Sequence, residues 1–229
     1  MGFKSFTIKM PTDYTDETLR NKIKKTISSE EFEYSIDKKS LDGRQKTNIH
    51  WLLQISVSSK SIKDGEEPDA QTLEIPEVNT NKTAIVVGSG PAGFYSAYVL
   101  RRAGFRVRLI EQGPEVFQRI KDVKLFHKKR ILNERSNYAF GEGGAGTFSD
   151  GKLTSRTKSI KLERNFIFNE YIEAGAPEEI RYLSKPHIGS NLLVKTAKNL
   201  RLKFLELGGE MLFDTEMIDV NLNNGKVTS

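Results

Sequence analysis

The chain has 229 residues, 37% of them hydrophobic, and 36 Lys and Arg against 30 Asp and Glu give a net charge of +6. Cysteine is absent, which excludes disulfide stapling, zinc–thiolate sites, thiol catalysis and a redox-active Cys pair. No apolar run reaches the ~18 residues of a membrane span, and the start lacks a signal-peptide core and, with Phe6 where Ser or Thr is required, the myristoylation pattern. A cytoplasmic protein without a membrane partner is the expectation.

Residues 3–10 and 46–57 alternate or cluster apolar residues as strands do, and 15–28 reads as a short polar helix capped by Thr15 or Asp16. Residues 32–36 add a strand. Strand, helix, strand, strand predicts a small α+β domain of ferredoxin-like type over residues 1–60. An RNA-binding sheet would carry paired aromatics in a basic Gly-aromatic motif; here only His50-Trp51 is similar, and a core tryptophan explains it. Residues 61–81, rich in Ser, Lys, Asp, Gly, Glu and Pro, form a linker.

The run from Ala84 to Gly93, Ala-Ile-Val-Val-Gly-Ser-Gly-Pro-Ala-Gly, is a dinucleotide-binding fingerprint. An apolar strand precedes it, a helical pattern follows, and Glu111 ends the next apolar run, as the mechanism demands. Gly88 ends the strand in a tight turn that a side chain would obstruct, Gly90 lets the backbone approach a pyrophosphate, and Gly93 lets helix pack on sheet. Ser89 and Ala92 complete the turn. Pro91 suits a first helical position, so the helix starts at the phosphate and its N–H groups face the anion. Glu111 accepts from ribose hydroxyls and disfavours a 2′-phosphate, and thus NADP.

Basic residues gather between Arg119 and Arg135. The interleaved Val123, Leu125, Ile131 and Leu132 suggest helices with solvated faces, so a nucleic-acid partner is not expected; phosphate contact by Arg119 is the sharper alternative. The second glycine cluster, between Phe140 and Leu153, cannot be a helix interior and leaves backbone N–H groups free, as anion-binding nests do. Residues 158–173 have helical spacing. Ser190 caps a further helix through Leu207, residues 211–221 read as strand, and Asn223-Asn-Gly225 reads as a hairpin turn.

Three segments carry a resemblance to FAD-dependent flavoproteins, in particular the group described as NAD(FAD)-utilizing dehydrogenases. They are Val87–Gly93 with Glu111-Gln112-Gly113, then Ser136–Leu153, then Lys185–Ser190; Lys39–Arg44 is also similar to that group's small leading domain. The middle segment further resembles the flavin-contacting stretch of succinate dehydrogenase and aspartate oxidase flavoproteins. The resemblance implies an α/β, Rossmann-like FAD/NAD(P)-binding domain over residues 82–229. Its cofactor contacts would be Gly88, Ser89, Gly90, Pro91, Ala92, Gly93, Glu111, Gln112, Arg119, Ser136, Asn137, Glu142, Gly143, Gly144, Ala145, Gly146, Thr147, Ser149 and Asp150. Asn137 stands where succinate dehydrogenases carry flavin covalently on His, so FAD would be non-covalent. Glu142 stands in place of Gln, and an ionised carboxylate only accepts hydrogen bonds. His187 is the candidate catalytic residue, and no metal is implied.

A full domain of this kind returns to its sheet with an Ala-Thr-Gly-like segment and ends with Gly-Asp on the cofactor. Neither occurs here, so the resemblance implies an incomplete Rossmann-like domain, truncated at its C-terminal end. The expectation is the ADP-binding half of an FAD-dependent oxidoreductase acting on an unknown small molecule, with NAD(P)H as electron donor to the full-length parent. The chain alone would be inactive and bind FAD weakly or not at all. The alternatives are a nucleotide-binding or interaction module without turnover, an RNA-linked flavoprotein, and an enzyme of NAD alone.

Overall fold

The computed structural model describes residues 2–69, 71–155, 157–158, 160–224 and 226–227. Strand β1 (Gly2–Pro11), helix α1 (Asp16–Ile27), β2 (Glu33–Asp42) and β3 (His50–Ser59) follow one another, and the antiparallel sheet runs β1-β3-β2. Strand alternation sends Ile8 and Met10 of β1 and Leu53, Ile55 and Val57 of β3 to one face, where they form a core with Leu19 and Ile23 of α1. Trp51 packs against that core, with the Lys39 ammonium 4.6 Å from its ring centroid. Thr15, not Asp16, caps α1: its hydroxyl accepts from the Thr18 N–H at 3.2 Å, and the Thr18 hydroxyl accepts from the Thr15 N–H at 3.0 Å.

Strand β2 outruns its expected end at residue 36. The segment Asp37–Asp42 is polar, yet it pairs with β3 after an irregularity between Ile36 and Lys38. Its other edge is held at Lys39, whose N–H donates to the Tyr182 carbonyl (2.7 Å) and whose carbonyl accepts from the Ser184 N–H (2.9 Å). Tertiary pairing, not local propensity, makes this strand.

The parallel sheet is built from β4 (Thr83–Val87), β5 (Arg106–Ile110) and β6 (Glu210–Leu212), in the order β4-β5-β6, with α2 (Pro91–Arg102), α3 (Val116–Lys129), α4 (Lys161–Glu173) and α5 (Ser190–Glu206) between the strands in sequence. This is the Rossmann-like α/β arrangement expected. Val107 and Leu109 are buried, as are Phe94 and Tyr98 of α2 and Phe204 of α5, and the Phe94 and Phe204 rings meet edge to face at 6.2 Å. The buried Glu170 of α4 is neutralised by the Lys203 ammonium and the Arg102 guanidinium and accepts from the Tyr98 hydroxyl at 2.9 Å, as a buried charge requires. On the other sheet face Ile85, Val87 and Leu212 are exposed.

The strand expected over 211–221 stops at Leu212. Asp214 takes φ 51 and its N–H turns to the Gly113 carbonyl, while the Thr215 N–H goes to the Glu111 carbonyl, so the chain leaves the sheet. Helix α5 is capped by Gly189, with φ 96, and not by Ser190, which lies inside it without a capping side-chain bond. Strands β7 (Leu222–Asn223) and β8 (Lys226–Val227) pair antiparallel, as a hairpin requires; Gly225 of the expected turn lies outside the described residues.

The chain divides into two compact units. One holds Met1–Thr72, Leu153–Arg156 and Glu178–Pro186; the other holds Leu73–Lys152, Thr157–Pro177 and His187–Ser229. Among the described residues no helix is long and apolar enough to cross a membrane, and no group of acidic residues and histidines is arranged to hold a metal ion.

Candidate dinucleotide site

The turn between β4 and α2 gives each glycine a separate reason. Gly88 has φ +90 while a Cβ there would meet nothing within 4 Å, so backbone conformation demands the glycine and not the obstruction expected from sequence. A Cβ on Gly93 would lie 2.0 Å from the Gly88 carbonyl oxygen, so helix and strand end pack too closely for any side chain. Gly90 is the N-cap of α2 at φ −63 and ψ 171, an ordinary extended conformation, and the nearest atom to a Cβ there is the Gly144 Cα at 4.0 Å. Neither strain nor protein packing requires that glycine. Pro91 holds the first helical position, as expected, and Pro91 and Ala92 are exposed.

Glu111 joins the surrounding loops. Its carboxylate, buried at the end of β5, accepts from the Ser89 N–H (2.8 Å), the Ser89 hydroxyl (2.7 Å), the Gly113 N–H (3.0 Å) and the Gly141 N–H (3.2 Å). In the structure, then, this carboxylate faces protein donors. Ser89 is buried too, and its carbonyl accepts from the Gly143 N–H at 3.1 Å. The first glycine motif is thereby tied to the second.

Arg119 corrects the solvated reading of α3. It is fully buried. Its Nη1 donates to the carbonyls of Gly141, Glu142 and Gly144 and to the Thr147 hydroxyl, and its Nη2 to the carbonyls of Asn137 and Tyr138. Burial lowers its pKa to about 10, while the Glu111 and Glu142 charges act to raise it, so it is cationic at neutral pH. The basic residues of the last turn, His127, Lys128 and Lys129, remain on the exposed or half-exposed side.

Glu142 also turns inward. Its Oε2 accepts from the Val116 N–H at 2.7 Å, capping α3, whose own N-cap Glu115 makes no side-chain cap bond. Its Oε1 approaches Arg201 Nε to 2.9 Å without hydrogen-bond alignment; Arg201 also pairs with Glu115 at 2.8 Å. Burial pushes the Glu142 carboxyl up, against the Val116 N–H and Arg201, which pull it down. A carboxyl raised in the folded state stabilises most below its unfolded value, about pH 4, and that contribution is lost as pH rises through the folded value. On raising the pH from about 4, the melting temperature of Glu142→Gln is therefore expected to fall less, or rise more, than that of the native protein. Identical pH slopes for the two proteins would contradict this.

The other expected residues divide by what holds them. The Ser136 hydroxyl is buried and donates to Asp122. Asn137 folds back on its own turn, accepting from the Ala139 N–H (2.8 Å) and donating to the Asn133 carbonyl (2.8 Å). Thr147 is buried and donates to the Glu142 carbonyl. Ala145, Gly146, Ser149 and Asp150 are exposed and Gln112 is half-buried; the Ser149 hydroxyl donates to the Gly146 carbonyl at 2.7 Å, and Asp150 pairs with Lys152 at 3.4 Å. His187 is exposed and bridges Lys152 backbone to backbone, while the Ile188 and Gly189 N–H groups donate to the carbonyls of Gly151 and Asp150. The segments 150–152 and 187–189 are thus brought together. Sequence reasoning passed over Arg201 as a partner of Glu142, since nothing local marks a helix arginine for a buried carboxylate.

Residues 86–145 match the family model of an NAD(P)-binding Rossmann-like domain. An uncharacterised protein of Clostridium beijerinckii is 36% identical over 244 residues, covering 100% of this chain and 45% of that protein. An uncharacterised protein of Rickettsia prowazekii is 36% identical over 104 residues, 42% of this chain and 15% of that protein. The chain therefore spans less than half the length of these curated relatives. Among solved structures, Thermovibrio ammonificans THI4 is similar at 18% identity and a TM-score of 0.34, over 64% of this chain and 44% of that one, a likeness too low to define the fold.

Proposed function

We propose that the chain carries the ADP-binding part of an FAD-dependent oxidoreductase. The observation that carries this reading is Gly90, a glycine with an ordinary φ of −63 and no protein atom nearer than 4.0 Å to a Cβ. The space a side chain would fill lies at the start of α2, where backbone N–H groups and the helix dipole favour a pyrophosphate. For the adenosine ribose Glu111 is the acceptor. Of its protein donors only the Ser89 hydroxyl turns on a rotatable bond, and a ribose hydroxyl would take its place. FAD is favoured over NAD because the second glycine segment is seated against the first: a Cβ on Gly144 would lie 3.0 Å from the Gly90 Cα. Bound flavin would supply the electron-transfer chemistry, and the chain's residues would hold and orient it. The substrate and a nicotinamide electron donor belong to the whole protein, and a cytoplasmic setting is part of the same proposal.

Titration with FAD, ADP and NAD, followed by flavin fluorescence and calorimetry, tests this. FAD and ADP are expected to compete for one site, with FAD the tighter. NAD binding more tightly than FAD would replace the flavin reading by an NAD one, and ADP binding with no gain for FAD would leave a nucleotide-binding module.

A further inference from the structure

We infer that Arg119 is a positioning residue for this site: it gathers the carbonyls of the glycine segment into the protein and so leaves the Ala145 N–H to the ligand beside Gly90. The inference rests on the nucleotide reading above and adds a role for a residue that need not touch the nucleotide.

A trans peptide sets its C=O and N–H in opposite directions. The Gly144 carbonyl is drawn to Arg119 Nη1 at 3.1 Å, which turns the Ala145 N–H away from the guanidinium. Ala145 is exposed, and as the second residue of the short 3-10 turn Gly144–Gly146 its N–H has no carbonyl partner within that turn, whereas the Gly146 N–H closes it. Gly144 itself lies against Gly90, so the Ala145 N–H that follows it stands next to the start of α2. A Cβ on Gly146 would meet nothing within 4 Å, and its φ is not in the left-handed range; like Gly90, it is a glycine that the protein alone does not require.

The segment is also shaped around the arginine. A Cβ on Gly141 would lie 2.2 Å from Arg119 Cδ, and the Phe148 ring covers the guanidinium with its centroid 4.9 Å from Cζ. Only a planar, multi-donor group reaches carbonyls on several sides at once; a lysine ammonium is a single point with fewer donors. The ligand portion served would be the part of a flavin dinucleotide beyond its ADP, because ADP is held by the other glycine turn and Glu111.

Arg119→Lys and Arg119→Ala, each titrated with FAD and with ADP while folding is followed by circular dichroism, test this. In Arg119→Lys FAD is expected to weaken by about tenfold or more and ADP by less than about threefold. In Arg119→Ala, methylguanidinium at concentrations well below denaturing ones is expected to restore FAD affinity by refilling the vacated space. Unchanged FAD affinity in the lysine variant would overturn the inference. So would equal losses for FAD and ADP that follow the loss of helical signal, which is what a merely structural role gives. If the native protein bound neither nucleotide, the nucleotide reading itself would fall, a separate and distinguishable result.

Discussion

Gly90→Val is expected to leave the protein folded and to weaken ADP and FAD alike by about 100-fold or more, equivalent to about 2.7 kcal/mol. The backbone there, at φ −63 and ψ 171, is one that any residue adopts, and the nearest atom to the new Cβ would be 4.0 Å away. The melting temperature should therefore fall by only about 2–4 °C, the cost of about 1 kcal/mol for a β-branched residue in place of glycine at an N-cap. The cost falls on the ligand, since an isopropyl group would occupy the space through which a pyrophosphate meets the α2 N–H groups. Calorimetric titration beside a melting curve checks both halves. Retained affinity would remove the observation on which the proposed function stands.

The opposite result is expected of Gly93→Val. Its Cβ would lie 2.0 Å from the Gly88 carbonyl oxygen and 3.1 Å from the carbonyl carbon, and neither is a flexible side-chain end that could swing aside. Either α2 lifts from the strand end or the Gly88–Gly90 turn is remade, at about 2–4 kcal/mol for an overpacked core contact. For a domain of this size that corresponds to a melting temperature lower by roughly 4–16 °C, and nucleotide binding should be lost with the turn. Differential scanning calorimetry decides it; a melting transition at the native temperature would mean that the turn relaxes at no cost. Together the two variants separate a glycine kept for a ligand from a glycine kept for the fold.

The first glycine motif was legible because its reasons are local: a strand end, a turn and a helix start within one short run. Even there the sequence misjudged Gly88, where conformation and not space excludes a side chain. Arg119 was singled out as a phosphate contact, but its burial was illegible, for the opposite reason. An arginine amid lysines on an amphipathic helix reads as solvated, and what buries it is the carbonyl set of residues 137–144, which no helical periodicity reveals. Glu142 behaves likewise, since its partners are the start of α3 and an arginine of α5. In the fold, the core strands of the first sheet followed from alternation. The extension of β2 depended on pairing partners remote in sequence, and the end of β6 on Asp214 and Thr215 turning to the loop after β5.

The convergence of so many carbonyls on one guanidinium also governs how that segment can move. Contacts that share a single donor group do not come loose one at a time: withdrawing Arg119 releases the carbonyls of Asn137, Tyr138, Gly141, Glu142 and Gly144 together, and while it stays none of those carbonyls gains much by leaving. Residues 137–144 are therefore expected to open as one cooperative unit within the larger fold. Their amides should exchange hydrogen at a common rate set by that single event, not by a graded fraying from the exposed glycines inward.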